Sequence, residues 1–220
     1  MRFLHLAVLA FSLLAGAALA SPLEPKNGIE YTTLAAPQPT QTAGKKVEVI
    51  EFFMYHCPVC NALEPMFEDW VRKQGDNIVL RRVHFPFTGP NDPEAHLYLT
   101  LEAMGRLADM HAKVFRARHV EHVRLSTDEN IIDWVGKNGI ERARFVEAWN
   151  SFGVQSKLRR LGQVVNNYQI DSAPTLVIDG RFVTSPTSVH NGFPVNDQAQ
   201  LFKATLQVAD ALVVKAAKEK

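Results

Sequence analysis

Val47-Glu48-Val49-Ile50-Glu51-Phe52-Phe53-Met54-Tyr55-His56-Cys57-Pro58-Val59-Cys60 is the stretch from which the rest of the chain can be read. Lys46 to Met54 is rich in β-branched and aromatic residues, the composition of a buried strand. Beyond Cys60, the segment Asn61 to Lys73 carries Leu63, Met66, Phe67, Trp70 and Val71 at helical spacing, with Pro65 inside the helix and expected to kink it. The order is strand, tight turn, helix. Both cysteines stand at the junction.

These are the only two cysteines of the 220-residue chain, and residues 1–20 read as an export signal. Arg2 supplies a positive start, Leu4 to Leu14 is largely apolar, and Ala18-Leu19-Ala20 puts small residues where a signal peptidase reads, predicting cleavage after Ala20. A membrane anchor is the competing reading, but the apolar run is short for a span. Lys203, Asp210 and Lys215 interrupt the C-terminal apolar segment, so the mature protein is expected to be soluble. In an exported protein, a lone pair of cysteines two residues apart is no stabilising framework. Chain entropy assigns about 2 kcal/mol to so short a loop against about 3 for a loop of fifteen residues, and a chain of this length can stabilise itself by burial. A bridge with little structural purpose is a candidate for chemistry.

Composition narrows the function classes further. A hydrophobic fraction of 46% and a charged fraction of 21% are ordinary for a globular protein and argue against disorder. With a formal net charge of +1, the chain offers no basic field for nucleic acid, and Arg81-Arg82 and Arg159-Arg160 read as solvated pairs.

Outward from the cysteines, Lys26 to Lys45 is an extended lead-in with a short strand around Ile29 to Thr33, and Ile78 to Phe87 reads as a second strong strand. A helical stretch follows. Asp92 caps a helix with Pro93 in its first turn, Leu107 to Arg118 forms another, and Ser126 with Glu129 makes a capping-box pattern ahead of Ile131, Ile132, Trp134 and Val135. Further helical patterns run over Glu141 to Phe152 and Val154 to Asn167. Thr175 to Ile178, Asp179-Gly180 and Arg181 to Thr184 then read as a hairpin with a two-residue turn, and a final helix starts near Asn196 or Asp197. The economical architecture is α/β: a strand-helix-strand half and a strand-strand-helix half share one sheet. Residues 21–90 and 168–220 form that domain, and residues 91–167 are an inserted helical subdomain.

A cysteine where a buried strand turns into a helix lies near unpaired backbone N–H groups and the positive end of the helix dipole, which favours its thiolate. Cys57 is therefore the exposed, attacked sulfur, and Cys60, one helical turn on, is the inward partner that opens and closes the bridge. Pro58 suits the start of a helix because it has no N–H to leave unpaired. Competing readings are a zinc half-site completed by His119 and His122, for which an isolated C-x-x-C is only half a signature, and a purely structural bridge.

Glu51-Phe52-Phe53, Cys57-Pro58-Val59-Cys60, and later Ala173-Pro174-Thr175-Leu176-Val177 with a Gly180 hairpin resemble the DsbA family of bacterial periplasmic disulfide oxidoreductases, in order and spacing, over nearly all of the mature chain. That family is the standard example of a low-pKa, strongly oxidising C-x-x-C protein. The resemblance implies a thioredoxin fold with an inserted helical domain, which agrees with the organisation above. It also implies that Pro174 is a cis-proline beside the disulfide, in a loop that receives an extended substrate peptide as an added strand. Glu51 matches the family's buried acid beneath the cysteines, there to help move the proton of Cys60; alternation of Val49, Glu51 and Phe53 does not settle which way it faces.

Two departures stand out. Val59 occupies the place where many oxidising members have His, so one donor to the Cys57 thiolate is missing, and Ala173 precedes the proline where Val or Thr is more usual. His56 either replaces the missing donor in part or is a solvent-facing neighbour.

The expected function is donation of the Cys57-Cys60 disulfide to reduced, folding exported proteins in the periplasm. Catalysis is assigned to Cys57, Cys60 and Glu51, and substrate binding to His56, Pro58, Val59, Ala173 and Pro174. No metal or cofactor is expected, nor a nucleic-acid partner. The protein is expected to be a monomer, and a DsbB-like membrane oxidase to reoxidise it, as the resemblance implies. A disulfide reductase or isomerase is the rival redox reading; isomerases of that superfamily carry a dimerisation domain ahead of the C-x-x-C, whereas only residues 21–56 precede Cys57 in the mature chain. A groove-binding, chaperone-like module is the rival from another class.

Overall fold

In the computed structural model, β2 (Val47–Phe53) runs through the middle of a five-stranded sheet in the order β1-β5-β4-β2-β3, and every residue of β2 is buried. The structure describes residues 24–42 and 44–220; the expected export signal and its cleavage site lie outside them. The strands are β1 (Tyr31–Thr33), β2, β3 (Ile78–His84), β4 (Thr175–Ile178) and β5 (Phe182–Thr184). The helices are α1 (Pro58–Gln74), α2 (Pro93–Ala103), α3 (Leu107–His119), α4 (Asp128–Lys137), α5 (Arg142–Trp149), α6 (Phe152–Asn167), α7 (Pro186–Gly192) and α8 (Gln198–Lys218).

β2 and β3 pair in parallel, with α1 as the crossover, whereas β2-β4, β4-β5 and β5-β1 are antiparallel. The strand alternation of β2 divides the core in two. Ile50 and Phe52 join the apolar cluster of α2 to α6, while Val47 and Val49 join that of α1 and α8 with Leu63, Phe67 and Trp70. Phe52 and Phe53 are wholly buried; burial contributes about 1.5 to 3 kcal/mol for each such ring. A strand pinned this firmly is a rigid base for the residues at its end.

Several local expectations change in detail. β3 stops at His84: Phe85 N makes a last bond of the ladder to Phe53 O at 2.7 Å, and Pro86, which has no N–H to extend it, turns the chain toward Gly89. The cap of α4 is Thr127, one residue after the expected Ser126: its side chain accepts from Asn130 N at 3.3 Å, and this phase buries Ile131, Trp134 and Val135 together. Helix α5 ends at Trp149, because Ser151 caps a new helix, α6, through Val154 N. The β4-β5 connection takes three residues, because Ile178 pairs with Phe182. Gly180 in that turn has φ +65°, and a Cβ there would lie 2.2 Å from Gln38 O, so the close passage of the lead-in segment requires glycine. Helix α1 continues through Pro65. The short helix α7, opened by a Ser185/Ser188 capping box and Pro186, was not anticipated, although Ser-Pro-x-Ser carries its signal.

Candidate active site

The carboxyl end of β2 delivers the chain to the cysteines through a segment held on both sides. Tyr55 N donates to His84 Nε2 at 3.1 Å from β3, and Tyr55 O accepts from His119 Nε2 at 2.8 Å from α3. Phe53 packs its ring 5.1 Å from the rings of Tyr55, His84 and His111. Cys57 N then donates to Met54 O at 3.2 Å, closing the turn.

Cys57 is the N-cap of α1, with extended φ, ψ of −77° and 115°, and its Sγ accepts from Cys60 N at 3.2 Å. Pro58 takes the first helical position, where its missing N–H costs nothing. Both cysteines are free thiols, and Cys57, expected to be exposed, is itself buried at 7% against 1% for Cys60, because the loop before Pro174 lies over its sulfur. The Cys57 thiol is pulled from its ordinary 9.0 to about 6, first by its hydrogen bond with the Cys60 side chain, then by the backbone N–H groups of Cys60 and Val59 and the charge of His56, against the effect of burial. Burial drives Cys60 the other way, far above the ordinary thiol range, and the neighbouring Cys57 and Glu51 charges add to it. One sulfur is made for leaving and the other for holding its proton.

The Ala173-Pro174 peptide bond is cis, and the Cys57 thiol lies 3.6 Å from Ala173 O. The register explains the approach: Phe52 of β2 pairs with Thr175 of β4, so the residues before Thr175 lie across from those after Phe52. Pro174 is buried, Ala173 half-buried, and Pro58 and Val59 exposed. Val59 also borders an open cleft of about 400 Å³ walled by Pro186, His190, Leu201 and Phe202.

Glu51 is 1% exposed and faces inward, which settles its orientation. It pairs across the sheet with Arg82, whose Nε lies 2.8 Å from Glu51 Oε2. Arg82 Nη2 also reaches Glu64 Oε1 at 3.1 Å and Glu68 Oε1 at 2.5 Å, and Glu64 meets His111 Nε2 at 3.2 Å. Burial, reinforced by the charge of Glu64 and only partly offset by Arg82, raises Glu51 from 4.5 to about 7. Burial likewise raises Glu64 to about 7 and lowers His111 to about 4. Sequence reading missed Glu64 and His111, and Arg82, expected to belong to a solvated pair, is 15% exposed and drawn in by three carboxylates. Glu64 was readable, since it follows Cys60 by one helical turn on the face of Leu63 and Phe67.

His56, expected either to assist Cys57 or to face solvent, is turned into the protein. Its Nδ1 is 2.8 Å from Glu94 Oε2, and its side chain is 26% exposed. His119 is committed to Tyr55 O, and among the described residues no group of three or more His, Cys, Asp or Glu is arranged to hold a metal ion.

Two cysteines one helical turn apart at the N-terminus of α1, facing a cis-proline loop on this sheet, define a thioredoxin-fold thiol-disulfide oxidoreductase, and the unequal acidity of the two thiols suits the exchange. The model of the DSBA-like thioredoxin domain family matches residues 93–192, and the thiol:disulfide interchange proteins DsbA of Bordetella parapertussis and Burkholderia cepacia are 36% and 35% identical over 212 residues, covering 96% of this chain and 96% and 95% of theirs. The chain belongs to the DsbA family. Its fold is also similar to the crystal structure of Pseudomonas aeruginosa DsbA, with a TM-score of 0.77 and 32% identity, covering 88% of this chain and 96% of that one.

Proposed function

We propose that the protein is an exported, periplasmic disulfide donor that acts on reduced, folding proteins. The observation that carries this reading is the placement of a thiolate-stabilised Cys57 against the carbonyl of Ala173, with Cys60 buried beneath it. A substrate thiolate attacks Cys57 Sγ of the oxidised centre, the Cys57-Cys60 bond breaks, and Cys60 leaves and takes up a proton. A second substrate thiolate then attacks the substrate sulfur of the mixed disulfide. Cys57 departs as a thiolate, so two electrons pass from substrate to protein. Glu51, raised to about 7, is suited to supply the proton to Cys60 and to take it back on reoxidation.

The residues around this centre take supporting roles. Ala173 and Pro174 present the loop edge to an extended peptide, Pro58 and Val59 lie on the exposed face that the peptide crosses, and His56 flanks Cys57. Residues 21–90 and 168–220 act as the thioredoxin-like unit that carries the site, and 91–167 as the inserted helical subdomain that covers one face of the sheet. A DsbB-like membrane oxidase regenerates the disulfide by docking on the same face. The chain needs no cofactor and works as a monomer.

Equilibration of the purified mature protein with glutathione buffers tests the direction of transfer. A donor equilibrates at an oxidising potential and converts a reduced exported protein to its disulfide form; a potential as reducing as that of thioredoxin overturns the reading. Cys57→Ser abolishes transfer in a donor, whereas a groove-binding module would keep its binding unchanged.

A further inference from the structure

The structure holds His56, the residue before Cys57, by two bonds to one carboxylate. Glu94, in the first turn of α2 and 4% exposed, accepts at Oε2 from both the backbone N–H of His56 at 3.0 Å and His56 Nδ1 at 2.8 Å. Its other oxygen, Oε1, lies 2.7 Å from Arg118 Nε on α3. This grip fixes the imidazole against the chain. The ring of the exposed Phe87 packs 5.2 Å away on the solvent side, and Nδ1 is committed as a donor.

The charges around this ring come from four directions. From α2 and its cap come two buried carboxylates: Glu94, and Asp92, which accepts from Ala95 N at 2.9 Å and from Thr88 N and Oγ1 at 3.0 Å each. From α3 comes one guanidinium, Arg118, and also His119, whose Nε2 is bound to Tyr55 O. From β3 comes His84, which burial lowers to about 4 and so keeps neutral. The fourth side is Cys57 itself. Two carboxylates and one guanidinium leave a net negative charge in a largely buried cluster, and such a cluster favours a second cation. His56 is the group placed to supply it.

We propose that His56 is a positioning residue: clamped by Glu94 and Arg118 as an imidazolium, it supplies from the upstream flank of Cys57 the positive charge that Val59 cannot supply from downstream. The reduced centre is then stabilised most when His56 is protonated, and its oxidising strength falls as pH rises through the His56 titration. The hydrogen bond to Glu94 raises His56 above its ordinary 6.5, against the effect of burial, and the charge of His56 is among the influences lowering Cys57. This inference rests on Cys57 being the attacked sulfur.

The test titrates the Cys57 thiolate by its ultraviolet absorbance in the reduced wild type and in His56→Asn, His56→Ala and Glu94→Gln, alongside the glutathione equilibrium of each. Asn keeps a donor toward Glu94 without the charge. In His56→Asn and His56→Ala alike, the Cys57 pKa is expected to rise by roughly half to one unit, and the equilibrium constant to move three- to tenfold toward a weaker oxidant. Glu94→Gln keeps the ring but removes its carboxylate partner, so the pKa of His56, read by NMR, is expected to fall, and an unchanged His56 titration overturns the clamp. An unchanged Cys57 titration in folded His56→Asn overturns the proposal, as does full rescue by Asn of a shift seen with Ala, which would make the hydrogen bond and not the charge responsible. Should Glu94→Gln fail to fold, the His56 pair decides alone. A wild-type potential like that of thioredoxin would instead overturn the donor function, so the two failures are distinguishable.

Discussion

Arg82 and Arg118 each organise buried carboxylates and a histidine, one cluster beneath Cys60 and the other beside Cys57, yet the clusters hold their protons in opposite places. Around Arg82 there are three carboxylates, Glu51, Glu64 and Glu68, and a single guanidinium. Burial and mutual repulsion leave Glu51 and Glu64 near pH 7, and His111, in the aromatic core beside Phe53 and Tyr55, falls to about 4. Around Arg118 the histidine is partly open to solvent and takes one oxygen of Glu94 while Arg118 takes the other, so the hydrogen bond to that carboxylate raises the imidazole above its ordinary range. Chemically similar parts thus make a proton reservoir under one sulfur and a positive charge next to the other. Solvent access and the ratio of acids to arginines decide which.

The inner cluster should be the more fragile of the two. Arg82→Met removes the guanidinium that bridges three carboxylates, and denaturant unfolding at pH 7 should show a loss of about 3 to 5 kcal/mol, the usual cost of leaving buried charges unpaired. That loss should shrink toward pH 5, as the freed carboxylates protonate. A loss below about 1 kcal/mol would show that the three acids do not depend on Arg82. Glu51→Gln should act on rate more than on stability, because the amide has the shape of the acid and its oxygen can still accept from Arg82 Nε. Rapid-quench measurement of the step in which Cys60 leaves should slow by roughly 100-fold, the lower end of the effect of a positioned acid-base group, and an unchanged rate would remove Glu51 from the proton path.

A further expected effect is a pH dependence that only the reduced protein shows. Cys57 titrates at about 6 in the folded reduced chain against an ordinary 9.0. A depressed acid contributes stability that is fully present above its unfolded pKa and is lost as pH falls through its folded one. The unfolding free energy of the reduced form relative to the oxidised form should therefore rise from about pH 6 to about pH 9 and fall beyond, where Cys60, held protonated by burial in the folded chain, ionises only on unfolding. A flat difference across that window would contradict the asymmetry between the two thiols.

Local chemistry accounts for much of what could be read in advance. A β-branched, aromatic run leading into Cys57-Pro58-Val59-Cys60 and an apolar helical stripe after it place the cysteines at a strand-to-helix junction whatever the rest of the chain does, because backbone geometry and helix N-terminal N–H groups are properties of adjacent residues. The helical run from Pro93 to Asn167 was legible for the same reason. Errors fell where two local solutions differ little in energy, as with Ser126 or Thr127 for the cap of α4, and packing of Ile131 and Trp134 chose between them. The cis peptide before Pro174 was reached through family resemblance, not through the residues themselves.

Contacts between residues far apart in the chain belong to the fold alone. Glu51 meets Arg82 because β2 and β3 pair in one particular register, and Glu94 meets His56 and Arg118 because α2 and α3 pack against the end of the sheet. Neither the spacing of these residues nor their types predicts the meeting. A side chain's charge state depends on desolvation and on partners many residues away, and both come into existence only when the layers close. The sequence was enough to single out Cys57 and Cys60 as the candidates for chemistry. How unequal they are, and which groups make them so, followed from the three-dimensional packing around them.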